Sequence, residues 1–190
     1  MESGPILTVI NDLEIRPVVA DDIDALRTDL ETKYLLHERL RRIGAGSRGE
    51  LLVAGRDGQL IGHIYLWEEP ADEKALRANL RGVPLIMNLW VDPEYRRQGI
   101  GTILMEASER RLRLRGHRRV ALGVDTENKE AVRLYQDLAY IRWEHGEIET
   151  HRDHFLPTGH FVTTETCAIF VKCLTETARP PRADHHVQAL

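Results

Sequence analysis

The run Pro84 to Val91, PLIMNLWV, is almost continuously apolar, stops at Asp92-Pro93, and is followed by Gln98-Gly99-Ile100-Gly101 and an amphipathic stretch. An apolar run of this length, closed by turn residues, reads as a central strand buried on both faces. Ile100, Ile103, Leu104, Ala107 and Leu114 then recur at helical spacing, with Gly116 as the stop. Strand, tight glycine turn and helix N-terminus in direct succession restrict the chain to a layered α/β arrangement. They also make an anion site. The first N–H groups of a helix have no internal partner, and the helix dipole concentrates positive charge there. Gly99 and Gly101 lack Cβ atoms, which lets backbone amides approach a phosphate, and Arg96 and Arg97 add full charges.

The flanking chain supplies the other layers. Leu13 to Val18 alternates as a half-buried strand does. Asp21-Asp22 open a helical segment carrying Ile23, Leu26 and Leu30, and a second helix spans Tyr34 to Ile43. Glu50 to Gly55 and Gln59 to Trp67 form a hairpin about Arg56-Asp57-Gly58. Glu68 to Gly82 is a polar loop or a short helix around Ala75 to Leu80. Val120 to Val124 is a strand, Asn128 to Leu138 a helix, and Tyr140 to Trp143 and Thr166 to Leu174 the last strands. Between those two, His145 to Phe161 holds four histidines and little apolar periodicity. The expected organisation is an N-terminal extension over 1–12, one domain over 13–174 and a flexible tail over 175–190, which contains Arg179-Pro180-Pro181.

Composition narrows the function. A chain of 190 residues with 42% hydrophobic and 29% charged residues is long and apolar enough for one real core. A net charge of −4 argues against a nucleic-acid partner. The arginines of Glu109 to Arg119 have no interleaved aromatics for base stacking and read as a solvated helix face. No signal peptide or apolar span is present, so the expectation is a cytoplasmic protein with no membrane partner. Cys167 and Cys173, evenly spaced in one strand, read as a buried reduced pair. His151-x-x-His154 and His160 lack a second spaced ligand pair, so no metal is expected. The Gly-x-Gly-x-x-Gly pattern fails because Leu stands at 104, and no Gly-Lys-Ser/Thr follows; neither NAD nor ATP is indicated.

The stretch Arg96-Arg97-Gln98-Gly99-Ile100-Gly101, preceded by Leu89-Trp90-Val91-Asp92-Pro93, resembles motif A of the GNAT superfamily of acetyl-CoA-dependent N-acyltransferases. Asn128-Lys129-Glu130-Ala131-Val132-Arg133-Leu134-Tyr135-Gln136-Asp137-Leu138-Ala139-Tyr140 is similar to that family's Asn-x-x-Ala-x-x-Leu-Tyr-x-x-Leu-Gly-Phe/Tyr. Ala139 for Gly is the one departure, tolerable where the backbone has negative φ. The resemblance covers about Leu13 to Leu174. It implies the GNAT fold: a mixed, mostly antiparallel seven-stranded sheet with helices on both faces and splayed fourth and fifth strands.

The resemblance also implies a chemistry. Acetyl-CoA would be co-substrate, with pantetheine along Leu85 to Val91 and backbone contacts at Leu89, Trp90 and Val91. Amides of Gln98, Gly99, Ile100, Gly101 and Thr102 would hold the pyrophosphate beside Arg96 and Arg97. Asn128 would touch the cofactor and cap its helix. The Val91 amide is the candidate oxyanion donor, and Tyr135 the group that hydrogen-bonds the leaving thiolate. The base is open. Pro84 to Val91 contains no carboxylate, leaving Glu68, Glu69, His63 or a water chain through Asn88. Acidic clusters at Glu68, Glu69, Asp72 and Glu73 and at Glu144, Glu147 and Glu149 point to a cationic primary amine: a polyamine-like metabolite, an amino sugar or antibiotic, or a lysine-bearing peptide. The alternatives are a protein lysine or N-terminal acetyltransferase and a non-catalytic acyl-CoA-binding regulator. A homodimer through His145 to Phe161 or the tail is a further expectation by resemblance.

Overall fold

The computed structural model describes residues 8–10 and 12–174; the tail expected over 175–190 lies outside them. The elements are β1 (Thr8–Ile10), β2 (Leu13–Pro17), α1 (Ala20–Ala25), α2 (Leu30–Gly44), β3 (Gly49–Arg56), β4 (Gln59–Trp67), α3 (Lys74–Asn79), β5 (Leu85–Val91), α4 (Ile100–Leu114), β6 (Arg119–Asp125), α5 (Lys129–Asp137), β7 (Ile141–Leu156) and β8 (Gly159–Cys173). They build one sheet in the order β1-β2-β3-β4-β5-β6-β8-β7. Every neighbouring pair is antiparallel except β5 and β6. The seven expected strands are all present. β1 pairs with β2 and adds an eighth at the edge, so the sheet begins inside the segment expected as an extension.

Alternation along β3 explains the layers. Leu52 and Ala54 point into a core with Leu104, Met105 and Leu112 of α4. Leu51 and Val53 point to the other face, into a core with Ile23 and Leu36 of α1 and α2. Period-two burial on both faces is what a central strand between two helical layers requires.

Four expectations need correction. The last two strands are not confined to Tyr140 to Trp143 and Thr166 to Leu174: β7 and β8 form one long hairpin, turning between Leu156 and Gly159, that runs through the stretch His145 to Phe161. It shows no apolar period because most of this ribbon is exposed, so no core selects one face. β5 is not buried on both faces; Ile86 is buried, but Asn88 is exposed and its neighbours half-buried. Of the two cysteines only Cys167 is buried, while Cys173 near the strand end is exposed. The arginine-rich end of α4 is not merely solvated. Arg111 and Arg115 both pair with Glu50, Arg115 also pairs with Glu68, and Arg113 Nε donates to the Leu174 carbonyl at 2.8 Å.

Candidate active site

The site begins where β5 and β6 part. Their only register pair is Leu85 with Ala121, supported by the Ala121 amide donating to the Pro84 carbonyl at 3.0 Å. β6 stays paired with β8 over its whole length. β5 follows β4 but is bent by a bulge: His63 faces Trp90 and Tyr65 faces Met87, so Asn88 and Leu89 oppose a single residue, and Asn88 has φ 51°. A bulge leaves backbone unpaired and re-aims side chains. The result is a wedge of about 540 Å³, lined among others by Leu89, Trp90, Asn88, Gly123, Asn128 and Tyr135. The apolar run of β5 is therefore apolar because it walls a cleft.

Backbone polarity follows from the ladder. The Asp92 amide donates to the Ile61 carbonyl at 2.9 Å. Groups alternate sides along an antiparallel strand, so the Val91 N–H points the other way, away from β4. The Val91 carbonyl accepts from Arg96 Nε at 3.0 Å, which ties the next turn to the strand end.

The turn is held at its base by Asp92, whose buried carboxylate accepts from the Glu94 amide at 3.0 Å. Arg97 and Gly99 both sit in the left-handed region, at φ 63° and 79°. The first hydrogen bond inside α4 runs from the Ile103 amide to the Gly99 carbonyl at 3.0 Å, leaving the amides of Ile100, Gly101 and Thr102 at the helix mouth. Arg96, Arg97 and Gln98 are exposed, whereas the Ile100 side chain is buried in the core and offers only its amide. The two glycines differ. Gly99 is required by its φ, while a Cβ on Gly101 would meet Leu134 Cδ2 at an ordinary 3.6 Å.

Asn128 caps α5, its Oδ1 accepting from the Ala131 amide at 3.1 Å. At the other end, the Tyr140 amide donates to the Tyr135 carbonyl and the Ala139 amide to the Gln136 carbonyl, both at 2.9 Å. This paired closure is a Schellman motif. It needs Ala139 at φ 63°, which corrects the negative φ expected there. It also packs Tyr140 on Tyr135, with ring centroids 5.9 Å apart. Tyr135 is thus fixed at the wedge, and its hydroxyl has no hydrogen-bond partner among the described residues. Burial pushes its pKa up to about 12, so the phenol keeps its proton at neutral pH.

Of the four options for the base, two are not at the wedge. Glu69 accepts from the Arg48 amide at 2.9 Å and its Nε at 3.2 Å. Glu68 is held by Arg115 and lies 2.8 Å from His117 Nε2. Neither lines the wedge: Glu68 is held at the C-terminal end of α4 and Glu69 at Arg48, just before β3. His63 does line it, stacked on Trp90 at 5.5 Å. Its burial pushes its pKa down to about 4, and neither ring nitrogen has a hydrogen-bond partner among the described residues. Such an imidazole is neutral at pH 7 but a weak base. Asn88 also faces the wedge.

Residues that sequence reasoning missed close the wedge at its far end. Glu31 and Arg39 of α2 and Thr150, His151, Arg152 and Asp153 of β7 line it. His154 Nδ1 lies 2.6 Å from Glu31 Oε1, and Arg39 Nη2 donates to Asp153 Oδ2 at 3.3 Å, so the hairpin is tied to α2. The turn residues Pro157-Thr158-Gly159 were the available signal for this hairpin. Among the described residues no cluster of three metal-ligating side chains is present, and no helix is long and apolar enough to cross a membrane.

A parallel strand pair that opens beyond its first contact, with a glycine turn into a helix at the mouth and a tyrosine from the next helix at the wedge, defines an acyltransferase-type α/β sheet. The chain belongs to the GNAT acetyltransferase family: residues 19–140 match its model, described as Acetyltransferase (GNAT) family. Mycothiol acetyltransferase of Thermobispora bispora is 49% identical over 95 residues, 48% of this chain and 30% of that protein. The chain thus spans under a third of that curated relative's length. Among solved structures, Ard1 from Thermoplasma volcanium superposes with a TM-score of 0.62 at 20% identity, covering 87% of this chain and 99% of that one. PaiA N-acetyltransferase from Thermoplasma acidophilum, solved in complex with coenzyme A, gives 0.60 at 18% identity, covering 85% and 98%. At these identities the likeness is one of fold.

Proposed function

We propose that this chain transfers the acetyl group of acetyl-CoA to the primary amine of a small, positively charged acceptor, by direct attack in a ternary complex. The observation that carries the reading is the wedge itself: the unpaired edge of β5 and a phenol without a hydrogen-bond partner among the described residues face one cleft, and the strand end leads through Asp92 to Gly99 into the free first-turn amides of α4. Pantetheine lies along the open edge of β5 at Leu89, Trp90 and Val91. The pyrophosphate takes the amides of Gln98 to Thr102 with Arg96 and Arg97, and Asn128 borders the cofactor. The amine nitrogen attacks the thioester carbonyl, and the Val91 N–H donates to the oxygen as it becomes anionic. The C–S bond then breaks; the Tyr135 hydroxyl hydrogen-bonds the departing thiolate, and the proton that the acylated nitrogen sheds to become the amide ends on that sulfur. The ammonium proton leaves beforehand through cleft water at Asn88, since Glu68 and Glu69 are committed to ion pairs elsewhere. Five carboxylates (Glu31, Glu73, Asp125, Asp153 and Glu165) against two guanidiniums (Arg39 and Arg152) line the wedge and favour a cation.

Calorimetry with acetyl-CoA on cofactor-stripped protein tests the first half. Affinity near ~1 μM is expected, weakened at least about tenfold by Gly99→Val, because a β-branched residue at φ 79° distorts the turn. No binding up to millimolar by folded protein would remove the mechanism. A panel of amines with thiol-release detection tests the second half; transfer only to proteins or peptides would replace the small acceptor.

A further inference from the structure

Beyond the bulge, away from the glycine turn, the wedge runs into a second hollow of about 280 Å³. Arg39, Glu73, Leu85, Met87, His151 and Asp153 line both, so the two spaces are continuous. Arg39 stands out there. It is only 7% exposed, and its guanidinium lies over the Tyr65 ring at 5.3 Å. Yet among the described residues its one hydrogen bond is the 3.3 Å bond from Nη2 to Asp153, and Nε has no partner. Asp153 is itself shared, its Oδ1 lying 2.9 Å from His160 Nε2. An arginine kept only to clamp α2 to β7 would use its fork on a carboxylate bidentately, as Arg16 does on Asp22 at 2.6 and 2.8 Å. A buried guanidinium left this underused is costly unless something else accepts from it.

We propose that Arg39 anchors a carboxylate of the acceptor, so that the amine acetylated at the bulge belongs to a free amino acid carrying a second, distal amine. This rests on the acetyltransferase reading and names its substrate class. A carboxylate suits the site better than a phosphate, because Asp72, Glu73 and Asp153 in the same hollow repel a dianion. The same acids suit an α-ammonium beside that carboxylate. Glu73 Oε1 accepts from the His151 amide at a long 3.4 Å and lies 3.9 Å from His151 Nδ1, and the Asp72 carboxylate makes no hydrogen bond among the described residues. Leu85 and Met87 on the shared wall precede Asn88 by three residues and one, so the hollow lies roughly 3–10 Å along the strand from the bulge. A side chain of three or four methylenes spans that gap and delivers its terminal amine to the thioester.

The test compares molecules that differ only in the carboxylate: lysine against cadaverine, and ornithine against putrescine. In the wild-type chain the amino acids should have kcat/KM at least about tenfold higher, chiefly through KM. Arg39→Gln should bring each ratio below about threefold, with Arg39→Lys between, because an ammonium keeps the charge but not the fork. Calorimetric titration of lysine and cadaverine without acetyl-CoA reads the same pocket when transfer is not involved, and lysine should bind more tightly. Diamines equal to or better than amino acids, in turnover or in binding, would overturn the proposal. So would a peptide with an internal lysine, its head group blocked, serving as well as free lysine. Either result leaves acetyl transfer standing, whereas loss of acetyl-CoA binding with tighter lysine binding retained would strike the transferase reading alone.

Discussion

Tyr135→Phe separates what the tyrosine does for the fold from what it does for the reaction. The ring packs between Tyr140 and Phe170, with centroids at 5.9 and 6.5 Å, and phenylalanine preserves that packing. The hydroxyl has no hydrogen-bond partner among the described residues, so its loss removes none there, and stability near pH 7 should change by less than about 0.5 kcal/mol. Activity should respond very differently, because general acid or hydrogen-bond help to a leaving group is worth about 10²-fold or more. kcat should therefore fall by about that factor, while calorimetric affinity for acetyl-CoA stays within about threefold. The pH dependence adds a second check. The folded pKa of about 12 lies above the unfolded value of 10.0, so the folded state keeps a proton that the unfolded state loses. Stability from this group is complete below pH ~10 and declines by up to about 3 kcal/mol as pH rises through ~12. The Phe variant should lack that share of the alkaline decline. Thiol-release kinetics and urea unfolding at pH 7 and pH 10.5 measure both effects. An unchanged kcat, or a large loss of stability at pH 7, would refute the assignment.

Ala139→Gly should stabilise the chain by up to about 1 kcal/mol, since Ala139 is held at φ 63° where only glycine is unstrained; urea midpoints decide it, and a destabilised variant would contradict the Schellman geometry. His63 is buried neutral with its pKa lowered from 6.5 to about 4, so its stabilising share is complete above pH ~6.5 and is lost as pH falls through ~4. That loss is worth about 3 kcal/mol, and His63→Leu should flatten it in acid unfolding curves. Glu69→Ala should leave kcat/KM within about twofold, because its carboxylate serves Arg48 away from the wedge. Glu68→Ala should likewise keep kcat/KM but cost about 1 kcal/mol of stability, since His117 loses its partner while Arg115 keeps Glu50; a collapse of turnover in either variant would reinstate the carboxylate base.

Local pattern was enough to read the glycine turn. Arg96 to Gly101 ends a strand and opens a helix whatever surrounds it, because left-handed backbone at Gly99 and free first-turn amides are properties of a short segment. The helix from Asn128 to Leu138 was readable for the same reason: its cap, its apolar stripe and the tyrosine are neighbours in sequence. Ala139 shows the limit, since its φ is dictated by the closure that seats Tyr140 on Tyr135 and not by its own preference.

The base and the acceptor end were decided by packing between distant segments. Glu68 and Glu69 look available in sequence, and only the approach of Arg115 and Arg48, 47 and 21 residues away, commits them elsewhere. The β5 run gives the same apolar signal whether it is enclosed or walls a cleft; the bulge at Asn88 and the pairing of β6 with β8 open the cleft. The histidine-rich hairpin carries no hydrophobic period because neither face meets a core along most of its length. Its meaning appears only when Asp153 reaches Arg39, 114 residues away, and closes the pocket. Sequence alone determined the glycine turn and the helix that bears the tyrosine, since backbone conformation there is local. Tertiary structure alone decided what faces the acceptor, because that surface is assembled from α2, α3, β5 and β7, whose contacts no local periodicity encodes.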